Sequence, residues 1–313
     1  MFISPGRPMS RFGQLESRLV ESIGARRTGL LAMAAAMVSW TVIERTGGSI
    51  LTSVPPLELV WLRYFVHLVF MLLVVSPGRP AALFRTKYPL RQVGRSLLML
   101  GMPLCWILAA ARLPMPDVMA IFWTTPVLAV IGASALLRER ATVPNVVLLG
   151  LGYLGAILVL HPGLPRGRVG ILLAAGMSAS FALYVIGTRW LRRESTQVNL
   201  FHSALSVFVL LTLVMPFVWR WPAPAAWSRV ILIGVLGYVL LWCLDRAVNY
   251  ATVAVVAPLA FLQPVIEAIW FDGAAGEHAT RRGLFGILLV AGVVIVSLVR
   301  DRSDRHAVVE CSR

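Results

Sequence analysis

Uninterrupted apolar stretches about as long as a bilayer is thick constrain this chain more than anything else in it. A spanning helix needs about 20 mostly apolar residues. Ten segments approach that length: residues 29–50, 57–76, 96–112, 117–137, 144–161, 169–188, 199–219, 228–246, 252–272 and 283–299. Barrel strands alternate over about ten residues, so these runs exclude a transmembrane barrel. With 58% of the 313 residues apolar and 14% charged, a soluble globule and a disordered chain are excluded as well. The expected fold class is an all-α polytopic membrane protein of ten transmembrane helices, in which lipid is the principal partner.

The net charge of +15 does not call for nucleic acid. The bases sit between apolar segments, where the positive-inside bias and anionic headgroups account for them. With the N-terminus inside, the larger share of the 29 bases falls on the cytoplasmic side, among them Arg26, Arg27, Arg85, Lys87, Arg91, Arg95, Arg138, Arg140, Arg189, Arg192, Arg193 and Arg246. Fewer bases, including Arg45, Arg112 and Arg220, face the other side, and Arg63 lies within a span. Both termini are therefore predicted in the cytoplasm, in a multi-pass protein of the inner membrane. Residues 1–27 lack the apolar core of a secretory signal. Phe12, Leu15, Leu19 and Ile23 recur there at helical spacing among arginines, which fits either an interfacial amphipathic helix or a basic tail.

A shift of 138 residues brings Cys105 onto Cys243, Ala109 onto Ala247, Pro126 onto Pro264, Glu139 onto Glu277 and Ala141-Thr142 onto Ala279-Thr280. Matches among Cys, Pro and Glu at one offset are harder to reach by chance than matches among apolar residues. The chain then divides into a basic segment 1–27, a first repeat 28–162, a second repeat 163–300 and a cytoplasmic tail 301–313. Five helices per repeat is an odd number, so the second repeat enters the membrane inverted. Inverted repeats are the architecture in which one bundle rocks against its counterpart around a midplane site.

The block 109–163, which contains FWTTP and ends in HPG, resembles the first-repeat signature of EamA-like permeases of the drug/metabolite transporter superfamily. The block 247–299, with APLAFLQP at its centre, resembles the second. The likeness runs from Gly29 to Leu298 through diffuse motifs: a helix-central Pro, a Glu opening the loop before the last helix of each half, and Gly in that helix. HPG and the run before Pro264 resemble members linked to riboflavin or S-adenosylmethionine. The resemblance implies two inverted five-helix repeats, cytoplasmic termini and secondary transport of small metabolites, in either direction.

Charges at the centre of a spanning helix cost roughly 2.5 to 3.5 kcal/mol on insertion scales, so those that persist face a cavity or one another. At about 1.5 Å per residue, Glu44 and Glu267 lie ~22 Å from the cytoplasmic side and Arg63 lies ~9 Å from the opposite side, in nearly one layer. These three are expected to line or gate the outward half of a central cavity. The purely structural alternatives are an ion pair that fixes packing, or Glu44-Arg45 marking the end of a short first helix. One turn away stand His67 beside Arg63, Trp40 beside Glu44 and Gln263 beside Glu267. Trp40, Tyr64, Trp123, Tyr184, Tyr238 and Trp242 fall within spans, where flat rings suit a planar or cationic solute. Thr124 joins Trp123 ahead of Pro126. Pro126 and Pro264, each freeing a backbone carbonyl near the midplane, are expected hinges. Asp245, Arg246 and Asn249 read as a gate or as a loop ion pair.

Gly150, Gly152 and Gly155 match GxGxxG, but no strand precedes them, and close helix packing explains them better. No P-loop, HExxH or CxxC motif is present, so neither a metal nor a cofactor is expected, and the protein is not read as an enzyme. The expected function is a secondary transporter moving a small metabolite by alternating access, with proton coupling through Glu267 or Glu44. The alternative is a passive channel or facilitator for a polar or cationic solute, which needs a continuous polar pore. Homo-oligomerisation is left open.

Overall fold

The computed structural model describes residues 20–75, 80–163, 167–275 and 280–311, and among them every regular element is helical. The long helices are α1 (Ala25–Gly48), α2 (Pro56–Phe70), α3 (Pro89–Ala110), α4 in two pieces (Met115–Phe122 and Thr125–Leu136), α5 (Val143–Leu160), α6 (Arg168–Trp190), α7 (Thr196–Thr212), α8 (Trp227–Tyr250), α9 and α10 (Arg281–Cys311). α9 consists of Val253–Val256, a 3₁₀ segment Ala257–Phe261 and Leu262–Ala275. Eight helical stretches are long and apolar enough to cross a membrane. α7 is a shorter apolar helix of 17 residues. α1, with 24 residues, carries Ser39, Trp40, Thr41 and Glu44, which lower its hydropathy.

Local chemistry sets the boundaries. Proline occupies the first turn of α2, α3, α5 and both pieces of α4, where its missing N–H costs nothing. Ser195 caps α7 by accepting the N–H of Val198. α4 and α9, expected as continuous kinked spans, are instead interrupted just before Pro126 and Pro264. Trp123 and Thr124 form a turn, and the freed groups find local partners: Thr124 and Thr125 hydroxyls donate to the carbonyls of Ile121 and Phe122.

Three helices extend beyond the expected spans. α3 starts at Pro89, α6 ends at Trp190 and α8 ends at Tyr250, which moves Arg91, Arg95, Arg189 and Asn249 out of expected loops and into helices, and leaves Asp245 and Arg246 a full turn inside α8 instead of at its end. Hydropathy marks a helix end where charge begins, whereas Arg95, Arg189 and Asp245 are hydrogen-bonded inside the fold. α10 likewise continues to Cys311 through the expected tail. Phe12, Leu15 and Leu19 of the expected amphipathic segment lie outside the described residues, as do Glu277 and Ala279 of the repeat match.

Helices pair mainly across the two halves. α1 packs along α8 and α3 along α6, while α5 crosses α10. α2 also contacts α8 as α7 contacts α3, and α1 contacts α9 as α6 contacts α4. The pairing repeats under a shift of five helices. At the α5–α10 crossing the Gly155 and Gly286 backbones approach so closely that a Cβ on Gly286 would stand 2.7 Å from the Gly155 carbonyl oxygen. A Cβ on Gly152 would stand 2.4 Å from the Phe261 ring. The GxGxxG glycines therefore lie in a helix, and two of the three serve close packing.

Candidate functional site

A cavity of about 440 Å³ lies among α1, α2, α3, α4, α6, α8 and α9. It reaches the surface at Gly48, Met115 and Pro116, all exposed, where α1 ends and α2 and α4 begin. Of the side chains expected to meet a solute, Trp40, Glu44, Arg63, Tyr64 and Glu267 line it. Helical spacing puts them there: Trp40 and Glu44 share one face of α1, and Trp40 Nε1 donates to Glu44 Oε1 at 2.7 Å. Gln263, one turn before Glu267 on α9, is fully buried. Its amide nitrogen donates to a carboxylate oxygen of Glu267 at 2.9 Å and to one of Glu44. Two carboxylates from opposite halves of the sequence thus converge on one NH₂ group.

Arg63 occupies another wall. Its Nε and Nη2 are buried and have no hydrogen-bond partner, and among the described residues no carboxylate lies within 4.0 Å of its guanidinium. The packing ion pair is therefore not formed. α1 continues past Glu44 to Gly48, so Glu44 does not mark the end of a short helix. Gly237 of α8 leaves room for the Arg63 side chain, since a Cβ there would stand 2.7 Å from Arg63 Nε. The rest of the lining is largely apolar, with the thioethers of Met99, Met102, Met119 and Met177 and the rings of Trp106 and Phe181 beside aliphatic side chains such as Ile43, Leu59 and Leu240.

His67, Trp123, Thr124, Tyr184 and Trp242 do not line this cavity. His67 is fully buried, 5.4 Å from the Tyr238 ring and 6.3 Å from the Tyr64 ring. Tyr184 is buried against Phe181 and under the Arg95 guanidinium. Trp242 is half-buried beneath Arg246, and Thr124 bonds the Ser178 hydroxyl at 2.8 Å. Trp123 stands one layer below the floor. That floor is Trp40 edge-on against Phe181, with centroids 5.1 Å apart. Beneath it is an apolar void of about 40 Å³ walled by Trp123, Pro126, Val185, Leu244 and Val253, among others. The other expected hinge, Pro264, follows directly on the amide-bearing Gln263.

Farther along the same helices the bundle is closed by polar groups. Arg95, 2% exposed, donates to Thr188 Oγ1 at 3.1 Å, to Gln92 Oε1 at 3.0 Å and to the Asn199 carbonyl. Asn199 passes the network to Asp245, which also accepts from Thr196 at 2.5 Å and Asn249 at 2.8 Å. Asp245 is thus a buried helix residue rather than half of a loop ion pair. Beside it Glu139 binds Arg189 at 2.6 Å and accepts the N–H of Val253 at the start of α9. Arg189 in turn donates to the carbonyls of Val248 and Asn249 at the end of α8.

The Arg95 and Glu139–Arg189 networks were not legible as such in the sequence. Polar residues at helical spacing, Gln92, Arg95 and Ser96 or Thr196 and Asn199, were the available signal. Glu139 was visible through the repeat offset and as the Glu that opens the loop before the last helix of the first half, not as a partner of Arg189.

The sequence matches the EamA-like transporter family over residues 27–161 and again over 168–299. The chain belongs to that family. It is accordingly a multi-pass membrane transporter of the drug/metabolite transporter superfamily, not an enzyme, and its partners are a small-molecule substrate and the lipid around it. Among curated relatives, the S-adenosylmethionine uptake transporter of Rickettsia prowazekii is 24% identical over 80% of this chain and 86% of its own length. The riboflavin transporters of Brucella anthropi and Vibrio cholerae are 23% and 26% identical, over 70% and 77% of this chain and 79% and 80% of their own lengths. A solved crystal structure of 20% sequence identity superposes with a TM-score of 0.76 over 89% of this EamA-like chain and 99% of its own, a likeness of fold.

Proposed function

We propose that this EamA-like protein is a secondary transporter that carries a small metabolite across the inner membrane by alternating access. Its ten helices all span, as two inverted five-helix repeats with both termini in the cytoplasm. The observation that carries this reading is one cavity with ionisable walls, open at one end and closed at the other. The closure consists of the aromatic floor and two hydrogen-bonded networks. A channel needs a continuous polar pore, whereas Trp40, Phe181 and the apolar void beneath them interrupt this one. Helix pairing that repeats under a shift of five helices supplies a second arrangement of related energy, in which the open and closed ends exchange roles. Pro126 and Pro264, at the interruptions of α4 and α9, are the hinges.

By the distribution of arginines the cavity faces outward. Its solute site comprises Trp40, Glu44, Arg63, Tyr64, Gln263 and Glu267. Glu44 and Glu267 face one amide at a separation where two negative charges repel. Exchange of a proton or a cationic group at this pair therefore couples transport to a gradient. The relatives' named solutes, S-adenosylmethionine and riboflavin, are the first candidates for either direction of transport.

Counterflow in proteoliposomes tests the reading. Unlabelled solute on the far side is expected to accelerate entry of labelled solute. Flux indifferent to the far side would establish a channel. Glu267→Gln is expected to abolish dependence on a pH gradient while leaving exchange in place, and unchanged coupling would remove Glu267 from the proton role.

A further inference from the structure

Opposite charges that share a low-dielectric cavity ordinarily pair, because attraction between them grows as water is excluded. Here they stand apart. Arg63 presents two buried, unpartnered guanidinium nitrogens from α2, Glu44 and Glu267 converge on Gln263 from α1 and α9, and all three charged groups line one cavity without pairing across it. A buried charged donor left without an acceptor is costly, and so is a pair of carboxylates sharing a single neutral donor.

We propose that the cavity is a dipolar site. It takes a zwitterionic solute whose carboxylate is held by the Arg63 guanidinium and whose cationic group is held between Glu44 and Glu267. This rests on the reading of the cavity as the solute site and adds its chemical class. A purely cationic solute would leave Arg63 without a counter-ion, and a purely anionic one would leave the carboxylate pair without one. A zwitterion answers both walls at once. The body that joins its two charges is apolar, since the rest of the cavity lining is largely apolar, Met99, Met102, Met119 and Met177 among it, and thioethers adapt to irregular apolar shapes.

The test uses the full-length protein in nanodiscs and titrates L-methionine, L-phenylalanine and S-adenosylmethionine by calorimetry. It also titrates the methyl esters of the two amino acids, which keep only the cation, and their N-acetyl derivatives, which keep only the anion. At least one zwitterion is expected to bind, with its ester and its N-acetyl derivative each weaker by about tenfold or more, the scale of one lost charge-assisted hydrogen bond. In Arg63→Gln the preference for acid over ester should vanish while ester binding persists, and Arg63→Lys should keep part of it. Equal binding of acid and ester by the wild-type protein, or no binding by any zwitterion, overturns the assignment without reference to a variant. Counterflow separates this from the carrier reading. A zwitterion that binds but is not exchanged defeats the carrier and leaves the site. Exchange of riboflavin that is untouched in Arg63→Gln leaves the carrier and defeats the site.

Discussion

Gly237 decides where Arg63 can stand. An alanine methyl there would meet Arg63 Nε at 2.7 Å, and the guanidinium must move toward the cavity. Gly237→Ala is expected to raise the KM for uptake several-fold with little loss of thermal stability, because the displaced group moves into open space. Parallel transport assays and melting curves check this, and an unchanged KM would show that the guanidinium position is immaterial. Glu44, Arg63 and Glu267 could be singled out from the sequence alone, since a charge in an apolar run stands out. The methionines of the cavity wall could not, because Met among Leu and Val carries no contrast. Buried acids near helix starts were equally silent. Glu58 is fully buried and accepts the N–H of Arg220, and Asp117 accepts the N–H of Gly163 at 2.6 Å. Nothing in the sequence sets either apart from an ordinary first-turn carboxylate.

At the scale of the element, the three GxGxxG glycines separate into two kinds. Gly155 faces the Gly286 carbonyl and Val290, while nothing lies within 4 Å of a Cβ on Gly150. Gly155→Val should destabilise the protein by about 1–3 kcal/mol through overpacking, and Gly150→Val, toward lipid, should leave melting in detergent unchanged. Equal effects would contradict the close α5–α10 crossing. Helix ends were the least legible feature. Hydropathy stops at the first arginine, but Arg95 and Arg189 donate to Thr188, Asn199, Glu139 and carbonyls of α8, partners that only the folded bundle brings near. The interruptions before Pro126 and Pro264 were legible as positions but not as breaks; at Pro126 the Thr124 and Thr125 hydroxyls that donate to the freed carbonyls act only once the turn exists. Pro126→Ala is expected to slow counterflow while solute affinity is retained. A rate equal to wild type would remove Pro126 as a hinge.

Over the whole molecule, an open cavity and a sealed end are two sides of one equilibrium. Glu139→Gln weakens the link from the α4–α5 connection to Arg189 and to the start of α9, and so favours opening at the sealed end. With the native cysteines replaced, Val185→Cys in the apolar void should react faster with an aqueous maleimide when combined with Glu139→Gln. Unaltered labelling would show that this network does not hold the end shut.

The pairing of α1 with α8 and of α3 with α6 also bears on how the protein is made. When a ribosome has delivered α1, the helix that packs along it begins only at Trp227, and the Gln263 amide that meets Glu44 comes later still, on α9. The first half therefore waits in the bilayer with these polar faces unmatched until the second half arrives. A nascent chain stopped at Leu160 should be cleared rapidly by membrane quality-control proteases, and co-expression of residues 161–313 as a separate polypeptide should rescue it.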